Sequence, residues 1–125
     1  MRDLIAGYCQ FLDDGLFDDF EQLWTADAVV HVRGDVYEGR TRIREWMEQV
    51  QPPQARGRHL VSNTRFTMVG EHEAACISDF VFFARNPQGG LFPKGGWNAS
   101  ASGRYVDRST DAEGTWRLAE RRIEM

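Results

Sequence analysis

Along the first half of the chain apolar residues recur at three- and four-residue spacing, and along the second half they alternate. Leu4, Ile5, Tyr8, Phe11 and Leu12 form one stripe, so residues 3–14 read as a helix. Asp14-Gly15 ends it, with Gly15 suited to the left-handed position just past the last turn. Phe17, Phe20, Leu23 and Trp24 predict a second helix over about 17–24, closed by Thr25-Ala26-Asp27. Residues 28–32 are a short β-branched strand, and Gly34-Asp35 turns it into Val36-Tyr37. Ile43, Trp46, Met47 and Val50 mark a third helix from about Arg40 to Val50, stopped by Pro52-Pro53. Residues 59–69, 73–85, 97–108 and 115–124 are then four long strand-like segments.

Helices first and an antiparallel meander afterwards is the order of an α+β domain. Strands of this length must curl, and a curled sheet closed by helices encloses a conical cavity. The chain reads as a single domain over residues 1–125, without repeats or a linker. The long loop from Asn86 to Gly96 would lie at the mouth, as a lid or a dimer contact.

Composition narrows the function. A hydrophobic fraction of 42% with 27% charged residues suits a globular domain, and a net charge of −4 argues against a nucleic-acid partner. The sequence has no apolar run of membrane-spanning length and no signal-peptide pattern at its start, which predicts no membrane association and a cytoplasmic location. Cys9 and Cys76, far apart and outside any C-x-x-C, read as reduced, buried thiols. His31, His59 and His72 lack metal-ligand spacing, so no metal is predicted.

One histidine stands out. His59 lies where the irregular stretch before it becomes the alternating strand Leu60-Val61-Ser62-Asn63-Thr64-Arg65-Phe66. A histidine at a strand mouth can point into the space the sheet encloses, and it exchanges a proton near neutral pH. Asp13 sits at a helix C-terminus, where the dipole disfavours a carboxylate, which hints that it is kept for another purpose. Tyr8 belongs to the apolar stripe, so its hydroxyl points toward the core or a cavity. Asp79 interrupts the apolar run Cys76–Phe82, and alternation alone leaves open a pocket role or a place on the outer face. His31 alternates with Val30 and Val32, which turns it away from the cavity unless a one-residue bulge swaps it with Val32, while His72 lies in a surface hairpin.

The chain resembles the SnoaL-like, nuclear-transport-factor-2-like superfamily of cone-shaped α+β domains. The resemblance runs through Tyr8…Asp13-Asp14-Gly15, Leu23-Trp24, Tyr37-Glu38-Gly39-Arg40, Arg58-His59, Gly103-Arg104-Tyr105-Val106-Asp107 and Gly114-Thr115-Trp116-Arg117-Leu118…Arg121. It implies three N-terminal helices on a strongly curved, mainly antiparallel sheet, a cavity, and a homodimer through the sheet face. Locally the run from His59 to Phe66 is similar to the segment of scytalone dehydratase and bile acid 7α-dehydratase that carries their catalytic histidine. That likeness implies His59, Asp13 and Tyr8 as catalytic residues: an acid–base histidine, its carboxylate partner and an oxyanion-binding phenol, as in ketosteroid isomerase.

Val32, Phe82, Trp97 and Tyr105 are the candidates to line the substrate, with Asp79 and Arg121 as polar contacts, although for Arg121 a structural ion pair is the favoured role over a substrate clamp. Val32 stands where ketosteroid isomerase has its base, and Phe82-Phe83-Ala84 stands where scytalone dehydratase has a second histidine. Those substrates themselves are therefore not expected. The implied activity is a cofactor-independent dehydratase or isomerase of a hydroxylated, hydrophobic polycyclic or polyketide-like molecule. The resemblance also admits a non-catalytic module similar to the small subunits of ring-hydroxylating dioxygenases, or a polyketide cyclase or epoxide hydrolase.

Overall fold

The computed structural model describes residues 1–86 and 96–125, and the side chain of Asn86 lies outside that description. The elements run α1 (Arg2–Asp14), α2 (Phe17–Gln22), β1 (Trp24–Val32), β2 (Asp35–Glu38), α3 (Arg40–Val50), β3 (Arg58–Val69), β4 (Glu73–Asn86), β5 (Gly96–Thr110) and β6 (Arg117–Glu124). A short 3-10 turn covers Pro53–Ala55. The expected lid at residues 86–96 falls almost wholly outside the described residues.

The stripe on α1 does what its spacing dictates: Leu4, Ile5, Tyr8 and Leu12 are buried, with Cys9 beside them. Gly15 adopts φ 72° and closes the helix in a Schellman arrangement. Its N–H donates to the Leu12 carbonyl, and the Leu16 N–H donates to that of Phe11. This C-terminal turn fixes where Asp13 points.

The second helix is shorter than its apolar spacing suggested. It ends at Gln22, and Trp24 opens a strand, because the Leu118 N–H donates to the Leu23 carbonyl at 2.7 Å and Trp24 pairs with Leu118. Tertiary pairing with β6 overrides the local helical spacing. The β1–β2 hairpin turns on Arg33 (φ 50°) and Gly34 (φ 81°), two consecutive left-handed residues as in a type I′ turn.

The strands form one six-stranded, open, curved sheet in the order β2-β1-β6-β5-β4-β3. All pairings are antiparallel except β1 with β6. Register shifts at Ser62/Arg65 in β3, Phe82/Phe83 in β4 and Arg108/Ser109 in β5 let the long strands bend. The helices cover the concave face, and the core gathers there: Trp24, Ala28 and Val30 from β1, Cys76 and Phe80 from β4, Tyr105 from β5, and Leu118 and Ile123 from β6. No helix among the described residues is long and apolar enough to cross a membrane.

Candidate functional site

His59 and Asp13 meet. The Asp13 carboxylate accepts two hydrogen bonds from one residue: the His59 backbone N–H reaches Oδ2 at 2.9 Å, and ring Nδ1 lies 2.6 Å from Oδ1. Both side chains are withdrawn from solvent, at 7% and 4% exposure. A carboxylate can only accept, so Nδ1 carries the proton and Nε2 is left as the lone-pair edge of the neutral ring. The helix end and the strand mouth are thereby clamped together.

Gly57 makes this approach possible. A Cβ there would run into the Phe83 carbonyl oxygen and come within 2.8 Å of the Phe82 ring. The Phe82 ring in turn packs on the His59 imidazole with centroids 4.6 Å apart.

Tyr8 stands edge-on to His59, with ring centroids 6.3 Å apart. Its other neighbours are Phe20, Trp24 and Tyr105, at 5.5, 6.1 and 5.6 Å. The Arg121 guanidinium lies between two phenol rings, 4.1 Å from the Tyr8 centroid and 3.8 Å from that of Tyr105. Asp107 grips the same guanidinium in bidentate fashion, accepting Nε–H at 2.7 Å and Nη2–H at 2.8 Å, with both residues fully buried. Arg121 Nη1 and Trp24 Nε1 have no hydrogen-bond partner among the described residues. Burial pushes the Tyr8 phenol up to about 12, against the opposing pull of the Arg121 charge, so Tyr8 is a neutral donor at ordinary pH. Burial likewise pushes the Cys9 thiol up to about 12 and raises Tyr105 well above its usual range.

The remaining sequence candidates separate. Tyr105 and Val32 are buried in the core, and Phe82 touches His59. Arg121 is the structural ion pair rather than a solvent-facing clamp. Asp79 is a correction: it lies on the face of β4 opposite Ser78 and Phe80, accepting from Arg104 Nε at 2.8 Å and Asn63 Nδ2 at 3.0 Å. Strand alternation sends Asp79 outward as soon as Phe80 faces the core. Trp97 is also displaced, to the rim, where it is 39% exposed beneath the guanidiniums of Arg58 and Arg85. His31 faces outward beside Glu120, and His72 lies on the surface near Asp111.

The cone is fuller than a curled sheet closed by helices suggests. Tyr8, Phe20, Trp24, Tyr105 and Arg121 occupy its interior. Openings adjoin the dyad instead. One of about 280 Å³ runs between α1 and β3, lined by Ile5, Ala6, Cys9, His59 and Val61 among others. Another of about 300 Å³ has Asp13 and Asp14 on its wall. Asp107, Gly57 and the rim arginines Arg56 and Arg85 were not singled out from the sequence. Asp107 had a signal, since alternation puts it on one face with Tyr105 and Ser109. Among the described residues, no three His, Cys, Asp or Glu side chains cluster as metal ligands.

A family profile described as a SnoaL-like domain matches residues 1–122. The chain belongs to the SnoaL-like domain family. Its architecture is the cystatin-like, nuclear-transport-factor-2-like α+β fold of that family. A solved structure of a protein of unknown function from Mycobacterium tuberculosis is 27% identical, with a TM-score of 0.85 over 98% of this chain and 68% of that one. A protein of Novosphingobium aromaticivorans, provisionally described as a scytalone dehydratase, is 18% identical with a TM-score of 0.76, covering 98% and 78% of the two chains. Another from the same organism, provisionally described as the beta subunit of an aromatic-ring-hydroxylating dioxygenase, is 20% identical with a TM-score of 0.78, covering 99% and 86%. At those identities the last two speak for the fold alone. No curated protein sequence matches the chain significantly.

Proposed function

We propose that this SnoaL-like protein is a dehydratase or isomerase of a hydroxylated, largely hydrophobic ring compound, with His59 as its acid–base group. The observation that carries the reading is the double grip of Asp13 on His59, ring and backbone together, in a nearly solvent-free position. A purely structural histidine needs one such bond, whereas fixing both the ring tautomer and its orientation is what a general base requires. In the proposed reaction Nε2 removes a proton from the carbon beside a carbonyl, and the Tyr8 hydroxyl donates a hydrogen bond to the oxygen as it becomes an enolate. The protonated imidazole then delivers that proton to the departing hydroxyl, which leaves as water. This chemistry requires no cofactor. An opening near 280 Å³ is at the small end of ligand sites, which favours a substrate of one or two rings over a larger polycycle.

The test is a panel of β-hydroxy cyclic ketones assayed by enone absorbance with wild-type protein, His59→Gln and Asp13→Asn. Turnover should fall about 10²–10⁴-fold in His59→Gln. Undiminished turnover in that variant would reject the reading.

A homodimer is part of the proposal, formed over the outer face of the sheet, where Ile77 and Val81 of β4 are only half-buried. The same exposed face supports a second reading as a subunit that docks on a larger partner. Sedimentation separates the two, since a stable dimer of the isolated chain favours the first.

A further inference from the structure

The chain carries a net charge of −4, yet arginines gather at one place on its rim. Arg56, Arg58 and Arg85 line the opening of about 300 Å³ that has Asp13 and Asp14 on its wall and Trp97 at its edge. Both carboxylates are engaged: Asp13 by His59, and Asp14 by Arg58 at 3.5 Å. Arg56 and Arg85 have no carboxylate partner among the described residues, and the neighbouring stretch 87–95 contains no Asp or Glu. Arg56 is moreover held in place. Its guanidinium packs against Gly15, where a Cβ would collide with it, and over the Phe17 ring at 5.8 Å; its Nε is buried without a hydrogen-bond partner. Arg85 lies over the Trp97 ring at 5.3 Å. Cation and indole thus form one edge, and an apolar shelf of Leu60, Phe83 and Trp97 adjoins it.

We propose that this rim is an anion-recognition site for a flat apolar acid, whose carboxylate is held by Arg56 and Arg85 while its ring lies on Trp97. Guanidinium groups match a carboxylate in geometry and are weakly hydrated, so a pair without acidic partners gains most when such an anion arrives. The shelf supplies the apolar area that selects an aromatic acid over a small inorganic anion. This inference concerns binding at an opening that His59 does not line, and it stands apart from the dyad reading.

The experiment is binding of naphthoate and of naphthol, its uncharged counterpart, followed by Trp fluorescence and by the Trp97 indole N–H resonance. Naphthoate should bind about tenfold more tightly than naphthol, the worth of one charge-assisted contact, and should weaken as salt is raised. Arg85→Gln should lower that preference severalfold, weakening naphthoate more than naphthol. Arg85 is exposed, so this variant should fold, and Arg56→Lys serves as the milder change at the packed position. Equal binding of the two probes, or an undiminished preference in both variants, overturns the proposal. A naphthoate shift that spares Trp97 does so as well. His59→Gln separates the two ideas. If it retains naphthoate binding and the hydroxyketone panel is still turned over, the dyad reading fails and the rim site stands. If the preference is missing while His59→Gln abolishes turnover, the rim site fails alone.

Discussion

Replacing Asp13 with Asn tests the arrangement at its most specific point. Asp13 offers an acceptor to each of two donors, the His59 backbone N–H and ring Nδ1. Asparagine has one acceptor end and one donor end. The backbone N–H has no alternative form, so it keeps the amide oxygen, and the amide nitrogen then faces Nδ1. The imidazole meets it by moving its proton to Nε2, which turns the proposed basic edge into a donor. Hydrogen bonds to a charged group are each worth about 1.5–3 kcal/mol, against about 1 for neutral partners. An amide is also cheaper to bury than a carboxylate. The net loss of stability is therefore about 2 kcal/mol. At an unfolding entropy of about 2.1 cal/mol/K per residue, that lowers Tm by about 8 °C for a chain of 125 residues. Long-range proton–nitrogen correlation of the ring at mildly alkaline pH reads the tautomer directly, with thermal unfolding recorded alongside. The reasoning is refuted if wild-type His59 carries its proton on Nε2, or if the Asn variant keeps the wild-type tautomer.

Other perturbations address the supports of the site. Gly57→Ala pushes a methyl into the Phe82 ring and the Phe83 carbonyl; it should cost about 3 kcal/mol in urea unfolding and broaden the His59 ring signals. Tyr8 has a folded-state value raised to about 12 from 10.0, so its contribution is complete below pH 10 and is lost as pH rises toward 12. Stability should therefore decline over that window, and Tyr8→Phe should flatten the decline, leaving the parts due to Cys9, Cys76 and Tyr105, which burial raises as well. Asp107→Asn strands the Arg121 charge in the core and should cost about 3–5 kcal/mol, whereas Asp107→Leu combined with Arg121→Met should recover much of it. Equal losses in the single and double variants would contradict that account.

The sequence made the two members of the dyad stand out separately. The carboxylate at a helix C-terminus broke a propensity rule and the histidine stood at a strand mouth, but their pairing was legible only through the likeness of the run His59–Phe66 to the dehydratases. Element types followed from periodicity, because α1, α3 and the long strands have burial patterns that agree with their spacing. Trp24 did not follow, since its apolar spacing suits a helix and only the distant Leu118 makes it a strand residue. Asp79 was undecidable because both faces of β4 are apolar by sequence; the choice is made by what packs above Phe80, namely Tyr105, stacked at 4.3 Å. Arg85 of the rim lies far along the chain from Arg56 and Arg58, so no local pattern could assemble the three.

The polar groups of the interior lead to a stereochemical prediction. The inner face of β1 presents Trp24, Ala28, Val30 and Val32, and an indole N–H is neither a general acid nor a base at ordinary pH, so that wall supplies neither. Tyr8, Cys9, Tyr105, Asp107 and Arg121 are ionisable groups packed around Asp13 and His59, and Arg2 lines the same opening as His59. Of these, Tyr8 and Cys9 are held neutral by values pushed up to about 12, and Arg121 stays protonated and locked to Asp107. Asp13 is committed to His59 through both oxygens. In the proposed reaction His59 is then the group among the described residues that takes a proton from carbon and returns it to oxygen. A single ring edge cannot serve opposite faces of a bound substrate, so proton and hydroxyl must leave from the same face. With any hydroxyketone that the protein dehydrates, stereospecific deuteration beside the carbonyl decides the matter: the deuterium on the hydroxyl's face is lost and the other is retained. Retention of the deuterium on the hydroxyl's face would mean that a second acid acts from across the site, and the one-base mechanism would be wrong.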